Sequence, residues 1–309
     1  GAFFDDASWV GTMMYFAGIG VILLGMLLRK VGLFREDDFR VLSNIVIKIP
    51  LPAAIITSFS QNEIHTDMLV LALLGFGGGV IYMALGYFLN RKRGREQQAF
   101  EILNIPGYNI GTFALPFTQS FLGSLGVITT SLFDMGNAFI CLGGAYGLAT
   151  TVKENSGFSL KRIGKALITS VPFDCYLLMI ILNLCHLTLP QTVVSFAELI
   201  GKSNAFLAML MIGVGFKLSG DRKQIWQMVR MLGIRYGVAL ALALGCFFLL
   251  PFEYEARQAL MILVFAPIAS SVPAFTEEIK GDVGLSSAMN SVSIIISIIC
   301  IVTILLITV

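Results

Sequence analysis

The sequence is poor in charge. Lys and Arg number 21 and Asp and Glu 19, together 13% of 309 residues, against about 25% in a soluble domain. With 56% apolar residues and a mean hydropathy of +0.84, that scarcity excludes a water-soluble globular domain and a disordered chain. A net charge of +2 leaves no electrostatic footprint for nucleic acid. Histidine is nearly absent: His65 and His186 lie in loops and have no assigned role. There is no HExxH, no phosphate-binding glycine loop and no GxSxG. No catalytic residue, metal site or cofactor is therefore expected, nor a domain that could hydrolyse ATP. The five cysteines (Cys141, Cys175, Cys185, Cys246, Cys300) sit in apolar stretches without metal-type spacing and read as buried small hydrophobes. The alternating ten-residue segments of a membrane β-barrel are also missing. The sequence starts at Gly1 rather than Met, and no cleavable signal peptide is expected.

What the chain does have is long apolar runs. A spanning helix needs about 20 apolar residues. Segments of that kind fall at Trp9–Leu28, Phe39–Phe59, Met68–Leu89, Gln98–Leu122, Val127–Val152, Ile163–Leu184, Thr192–Phe216, Ile225–Leu250, Ala256–Ile279 and Val283–Val309. The expected fold is an all-α membrane protein of ten transmembrane helices, because a helix satisfies its own backbone in lipid.

Loop charge gives the direction. The loops after spans 1, 3, 5, 7 and 9 hold Arg29, Lys30, Arg35 and Arg40; Arg91, Lys92, Arg93 and Arg95; Lys153, Lys161, Arg162 and Lys165; Lys217, Arg222, Lys223 and Arg230; and Lys280. The opposite side holds Arg257. The positive-inside rule then makes the odd-numbered loops cytoplasmic and puts both termini outside.

Five spans on each side of a cytoplasmic linker, residues 153–162, make two halves, 1–152 and 163–309, whose topologies are inverted. The second span of each half carries a lysine (Lys48, Lys202). The fifth carries Met135 with Asn137 or Met289 with Asn290. The fourth carries two prolines, Pro106 and Pro116 in span 4 and Pro267 and Pro273 in span 9. Proline removes a backbone donor and clashes with the preceding turn. Helices interrupted at corresponding positions point to a transporter site at membrane depth. Spans 4 and 9 are therefore expected to be broken and to cross, their freed polar groups lining a cavity.

The run Gly107-Tyr108-Asn109-Ile110-Gly111-Thr112-Phe113-Ala114-Leu115-Pro116 resembles the Gly/Asn-rich segment ending in Leu-Pro of the auxin efflux carrier family, which includes prokaryotic permeases and the plant auxin carriers. Leu210–Leu218, and Ala266-Pro267 through Pro273-Ala274-Phe275 followed by Glu277–Asp282, are similar to that family's spans 7 and 9. Thr112 stands where the family usually has Asn, and Val171-Pro172 where it usually has Asn-Pro. The resemblance implies a permease for small organic anions that works by elevator-like alternating access. It implies a scaffold of spans 1, 2, 6 and 7, often dimerised, and a moving part of spans 3–5 and 8–10. Substrate would bind where spans 4 and 9 cross, which selects Asn109, Gly111, Thr112, Pro116, Asn137, Pro267, Ser270, Ser271 and Pro273.

Polar residues inside the spans have several readings. Asp134 and Asn137 share a helix face. With Asn290 in span 10 they form a support beneath the crossing, or a proton or sodium coupling site; interhelical hydrogen-bond glue is the alternative. Lys48 and Lys202 attract an anion or, for Lys202, pair with Glu198 at i,i+4. Arg235 either snorkels to the cytoplasmic interface or lies in the anion path. Asp174 reads as a structural acid, and Glu277 and Glu278 as solvated. Gly75 with Gly79 and Gly143 with Gly147 make small packing faces. The expected partners are a small organic anion, the bilayer of a prokaryotic plasma membrane, a second copy of the chain and no nucleic acid. A sodium-coupled symporter, a channel and a ligand sensor that does not transport remain open.

Overall fold

The structure, a computed structural model, describes residues 6–155, 158–218 and 224–308, and only the backbone of residues 6–12. Gly1, Arg222, Lys223 and Val309, used above, lie outside the described residues. Every regular element among the described residues is a helix or helical turn.

α1 (Asp6–Lys30) is followed by α2 (Asp38–Lys48) and α3 (Pro50–Ser60). These two form one apolar column that is interrupted at Ile49, whose ψ of −78° lies outside the helical range. Pro50 and Pro52 open α3, where the ladder lacks donors anyway. A 3₁₀ turn (Thr66–Leu69) leads into α4 (Val70–Leu89). α5 (Arg95–Asn104) stops at an irregular stretch, and a π turn (Ile110–Ala114) restarts the chain into α6 (Leu115–Phe121). α7 (Ser124–Phe139) continues through a second π turn into α8 (Ala145–Glu154).

The second half holds α9 (Leu160–Thr169), α10 (Val171–Leu184), α11 (Gln191–Gly201), α12 (Asn204–Gly215), α13 (Ile225–Leu249), α14 (Tyr254–Val264), α15 (Val272–Glu278) and α16 (Val283–Thr308). Lys202 sits at the α11–α12 break as Lys48 sits at the α2–α3 break. Lys202 Nζ lies 3.9 Å from Glu198.

Among the described residues seven helices are long and apolar enough to cross a membrane, or eight with the bent pair α9–α10. That pair corrects the expected single helix Ile163–Leu184. Ser170 is extended and caps α10 by accepting from the Phe173 N–H, and Pro172 occupies the first turn. The chain bends 79° there, which leaves α9 basic on one face and α10 only about 21 Å long. The expected spans Gln98–Leu122 and Ala256–Ile279 are each interrupted by a longer stretch of irregular backbone, residues 105–109 and 265–271.

Large apolar side chains point outward all round, among them Leu73, Phe88, Phe196, Leu199, Phe248 and Ile299. In water such a surface would aggregate; in lipid it is the solvated face. Inside, the helices pack as two groups. In one, α1 lies on α12, α11 and α10 on α3, and α2 on α12. In the other, α4 lies on α7, α5 on α4 and α8, and α14 and α16 on α13. Gly75 and Gly136 allow α4 and α7 to touch at the backbone: a Cβ on Gly75 would stand 2.0 Å from the Phe133 oxygen, and one on Gly136 1.8 Å from that of Ala72. At an exposed loop of the first group, Lys217 bonds Glu36 at 3.0 Å and holds its carboxyl below the usual range.

Candidate functional site

The two interruptions face each other. The first covers residues 105–109, where Pro106 has no N–H and Gly107 adopts φ +88°, a left-handed conformation that costs a Cβ-bearing residue energy. The second covers residues 265–271 around Pro267. They touch directly: the Asn109 N–H donates to the Pro267 carbonyl at 2.9 Å.

Each interruption is held by the long helix that follows it. On α7, Asn137 presents both ends of its amide to Tyr108. Its Nδ2 donates to the Tyr108 carbonyl at 2.8 Å and its Oδ1 accepts from the Tyr108 N–H at 3.1 Å. On α16, Asn290 Nδ2 donates to the carbonyls of Ile268 and Ala269 at 3.3 and 3.1 Å, and Ser293 Oγ accepts from the Ile268 N–H at 3.1 Å. Side chains thus replace the missing helical ladder in both places, as buried backbone groups require.

Beside the first break, the Asp134 carboxylate accepts from the Tyr176 hydroxyl of α10 at 2.7 Å and from Asn137 Nδ2 at 3.1 Å. Gly111 lies next to this pair: a Cβ there would stand 3.6 Å from Asp134 Oδ2 and 3.8 Å from the Tyr176 oxygen. No cation pairs with Asp134 among the described residues. On the far side of the break, α13 contributes Arg235, 1% exposed. Its guanidinium donates to the carbonyls of Ile105, Gly107 and Ala266 at 2.5, 2.8 and 2.9 Å. Of the two readings of Arg235 this excludes snorkelling: backbone carbonyls freed by the breaks engage both of its terminal nitrogens in the interior, its Nε alone having no partner among the described residues.

The structure therefore brings together Asn109, Gly111, Thr112, Asp134, Asn137, Pro267 and Asn290. Thr112 donates to Asn109 Oδ1 at 2.8 Å, and Asn109 Nδ2 is left without a partner among the described residues on a half-exposed side chain. Ser270 is exposed and Ser271 half-exposed. Pro116 and Pro273 behave differently from expectation. Pro273 lies in the first turn of α15, where proline costs no hydrogen bond; Pro116 opens α6 directly after the π turn Ile110–Ala114, at the point where its missing N–H ends that turn's ladder. Pro106 and Pro267 are the prolines inside the breaks.

Four contributors were not singled out from the sequence in these roles. Tyr176 and Ser293 are ordinary residues of apolar helices. Gln119 of α6 donates to the Gly201 carbonyl at 2.9 Å and accepts from Asn204 at 3.0 Å, which satisfies the α11–α12 break. Glu101 is fully buried on α5 and pairs with Arg230 of α13 at 2.6 Å. A lone Glu four residues before a proline-rich break was the available signal for that pair.

A family described as membrane transport protein matches residues 17–159. Over 287 residues the chain is also 23% identical to an uncharacterized transporter of Methanothermobacter thermautotrophicus strain Delta H, covering 90% of this chain and 92% of the relative. The transporter-type junction of two interrupted helices and these similarities agree with the resemblance to permeases of the auxin efflux carrier family read from Gly107–Pro116, and they point to a membrane transporter rather than an enzyme.

Proposed function

We propose that the protein is a secondary or facilitative transporter of small organic anions, carboxylates of the auxin or dicarboxylate kind, that works by elevator-type alternating access. The observation that carries this is the contact between the two breaks, Asn109 N–H to Pro267 carbonyl, each break being tied by an asparagine of the following helix. Counting α5–α6, α14–α15 and α9–α10 as one span each gives ten spans. The matched asparagines and matched lysine-bearing breaks favour two inverted five-span halves whose fourth members cross. The site is built from Asn109, Gly111, Thr112, Ser270 and Ser271, with Pro267 shaping the second break, Pro116 and Pro273 stiffening the half-helices beyond the breaks, and Asn137 and Asn290 holding it. A carboxylate would take hydrogen bonds from Asn109 Nδ2 and the serine hydroxyls in the positive potential of Arg235. Asp134, a carboxylate with only neutral partners, is the group to carry a coupling proton.

The first packing group, α1–α3 and α9–α12, serves as the scaffold and as the surface of a homodimer. The second group moves. Both termini face outward from a prokaryotic plasma membrane. Uptake of a panel of labelled carboxylates into proteoliposomes tests the proposal. Saturable uptake above that of empty liposomes is expected for at least one. Binding without flux would make the chain a sensor, and flux that does not saturate a channel.

A further inference from the structure

Two broken helices meeting inside a membrane release carbonyl oxygens where water does not reach, and in transporters such carbonyls are a recurrent cradle for an alkali cation. Here one side chain takes three of them. Arg235 reaches Ile105 and Gly107 of one break and Ala266 of the other, so its planar fork ties the two breaks together at one point. The rings of Tyr108 and Tyr82 lie beside it, their centroids 5.1 and 5.5 Å from the guanidinium carbon, a surrounding that favours a desolvated cation. Tyr82 also donates its hydroxyl to the Arg235 carbonyl at 2.8 Å, which fixes the backbone that carries the charge. No carboxylate is among its partners within the described residues. The neighbouring Arg230 of the same helix is neutralised by Glu101, so Arg235 is the unpaired cation of the junction, with the Asp134 carboxyl on the other side of the first break.

We propose that Arg235 is a tethered cation that occupies the place a coupling metal ion would take where the two breaks meet: it assembles the junction, gives it the charge that an anionic substrate needs, and makes sodium unnecessary there. A sodium ion would need the same three carbonyls, and they are already engaged. Arginine suits this place better than lysine, because a single ammonium cannot reach three carbonyls in the same fixed, planar arrangement.

The assignment to coupling rests on the transport function proposed above, but the junction can be tested without any substrate. Thermal melts of the purified protein are compared in sodium, potassium and choline chloride, with and without millimolar guanidinium chloride. The wild type is expected to be indifferent to all four cations. Arg235→Ala and Arg235→Gln reopen the carbonyl cradle; they are expected to melt lower and to recover more than about half of the loss with guanidinium, and Arg235→Gln is included because it retains donors without charge. Arg235→Lys keeps the charge and is expected to fold, to melt between wild type and the alanine variant, and to gain less from guanidinium. An Arg235→Gln protein as stable as wild type would overturn the proposal, as would alanine and glutamine variants that melt low and respond to no cation. In proteoliposomes, uptake of labelled benzoate by the wild type is expected to be equal in sodium and choline media. A sodium requirement there would overturn the coupling role even if the melts behaved as expected. Absence of flux of benzoate and of every other carboxylate of the panel in both media, with the melts as expected, would count against the transport function while supporting the tethered cation.

Discussion

Asn137 and Asn109 are of one residue type, lie near one break and have opposite duties. Asn137 commits its amide to the Tyr108 peptide unit and Asp134, so Asn137→Ala would leave a buried N–H and C=O unpaired, at about 1–3 kcal/mol each. It is expected to lower the melting temperature and to abolish uptake together. Asn109 keeps a free Nδ2, and a hydrogen bond to a charged group is worth roughly 1.5–3 kcal/mol. Asn109→Ala is therefore expected to melt as wild type while carboxylate affinity, read by calorimetry, falls about ten- to a hundredfold; an unchanged affinity would remove this break from the binding site. Asp134→Asn keeps both neighbours hydrogen-bonded but cannot take up a proton. Its uptake is expected to lose the pH dependence of the wild type, and a pH profile identical to wild type would deny Asp134 the coupling role. The sequence made Asn109, Asp134 and Asn137 visible because polar residues are rare in apolar spans. It could not tell which asparagine was free, since that depends on backbone groups about a break whose shape only packing determines. Arg235 was visible as a buried charge, but its partners lie up to 130 positions away and are main-chain carbonyls, which leave no mark in a sequence.

Helices show the same division between what pattern reveals and what packing decides. Paired prolines located both interrupted segments correctly, because a residue without an N–H cannot continue a ladder. They did not say which of each pair sits in the break. Pro116 and Pro273 open the second half-helices, so replacing either with alanine removes only chain stiffness, about 0.4–1 kcal/mol. Uptake by both variants is expected to stay within about fivefold of wild type, and a complete loss would show that these prolines shape the site itself. α13 grips α5 at two levels, by Arg235 at the break and by Arg230 on Glu101 more than a turn earlier in α13. Removing Arg230 strands a fully buried carboxylate. Loss of one partner of a buried pair costs about 3–5 kcal/mol, and the part-exposed arginine puts this one toward the lower figure. Arg230→Ala is expected to reduce thermal stability clearly, and Arg230→Ala with Glu101→Gln to regain much of it. A double variant no better than the single one would mean that the pair is not what holds α5. The α9–α10 bend was missed because hydropathy runs through it; Ser170 and Pro172 were the local signs of a helix restart.

At the scale of the whole molecule the two packing groups meet along a seam crossed by a handful of polar ties, among them Asn62 with Ser124 and Arg162 with Glu278. Asp134 reaches Tyr176 across it, and Gln119 reaches Gly201 and Asn204. Within the second group the joints are of another kind, with glycine-mediated backbone contact between α4 and α7 and buried charge between α5 and α13. Elevator motion requires the second group to slide as a body, which breaks the seam ties and spares the internal ones. The prediction follows from two cross-links of similar reach in a background with the five native cysteines replaced. Gln119→Cys with Asn204→Cys spans the seam; Gln97→Cys with Gln227→Cys replaces a 2.6 Å side-chain hydrogen bond inside the moving group. A short bis-methanethiosulfonate, which forms a disulfide with each cysteine and releases methanesulfinate, is expected to bring carboxylate uptake of the first pair down to the level of empty liposomes, with recovery on reduction, and to leave the second pair active. Binding by the bridged first pair is expected to persist from one side of the membrane, because the junction that holds the substrate remains whole. Undiminished uptake with the seam bridged would mean that the two groups do not move against each other, and transport would then have to proceed by local gating around a stationary junction.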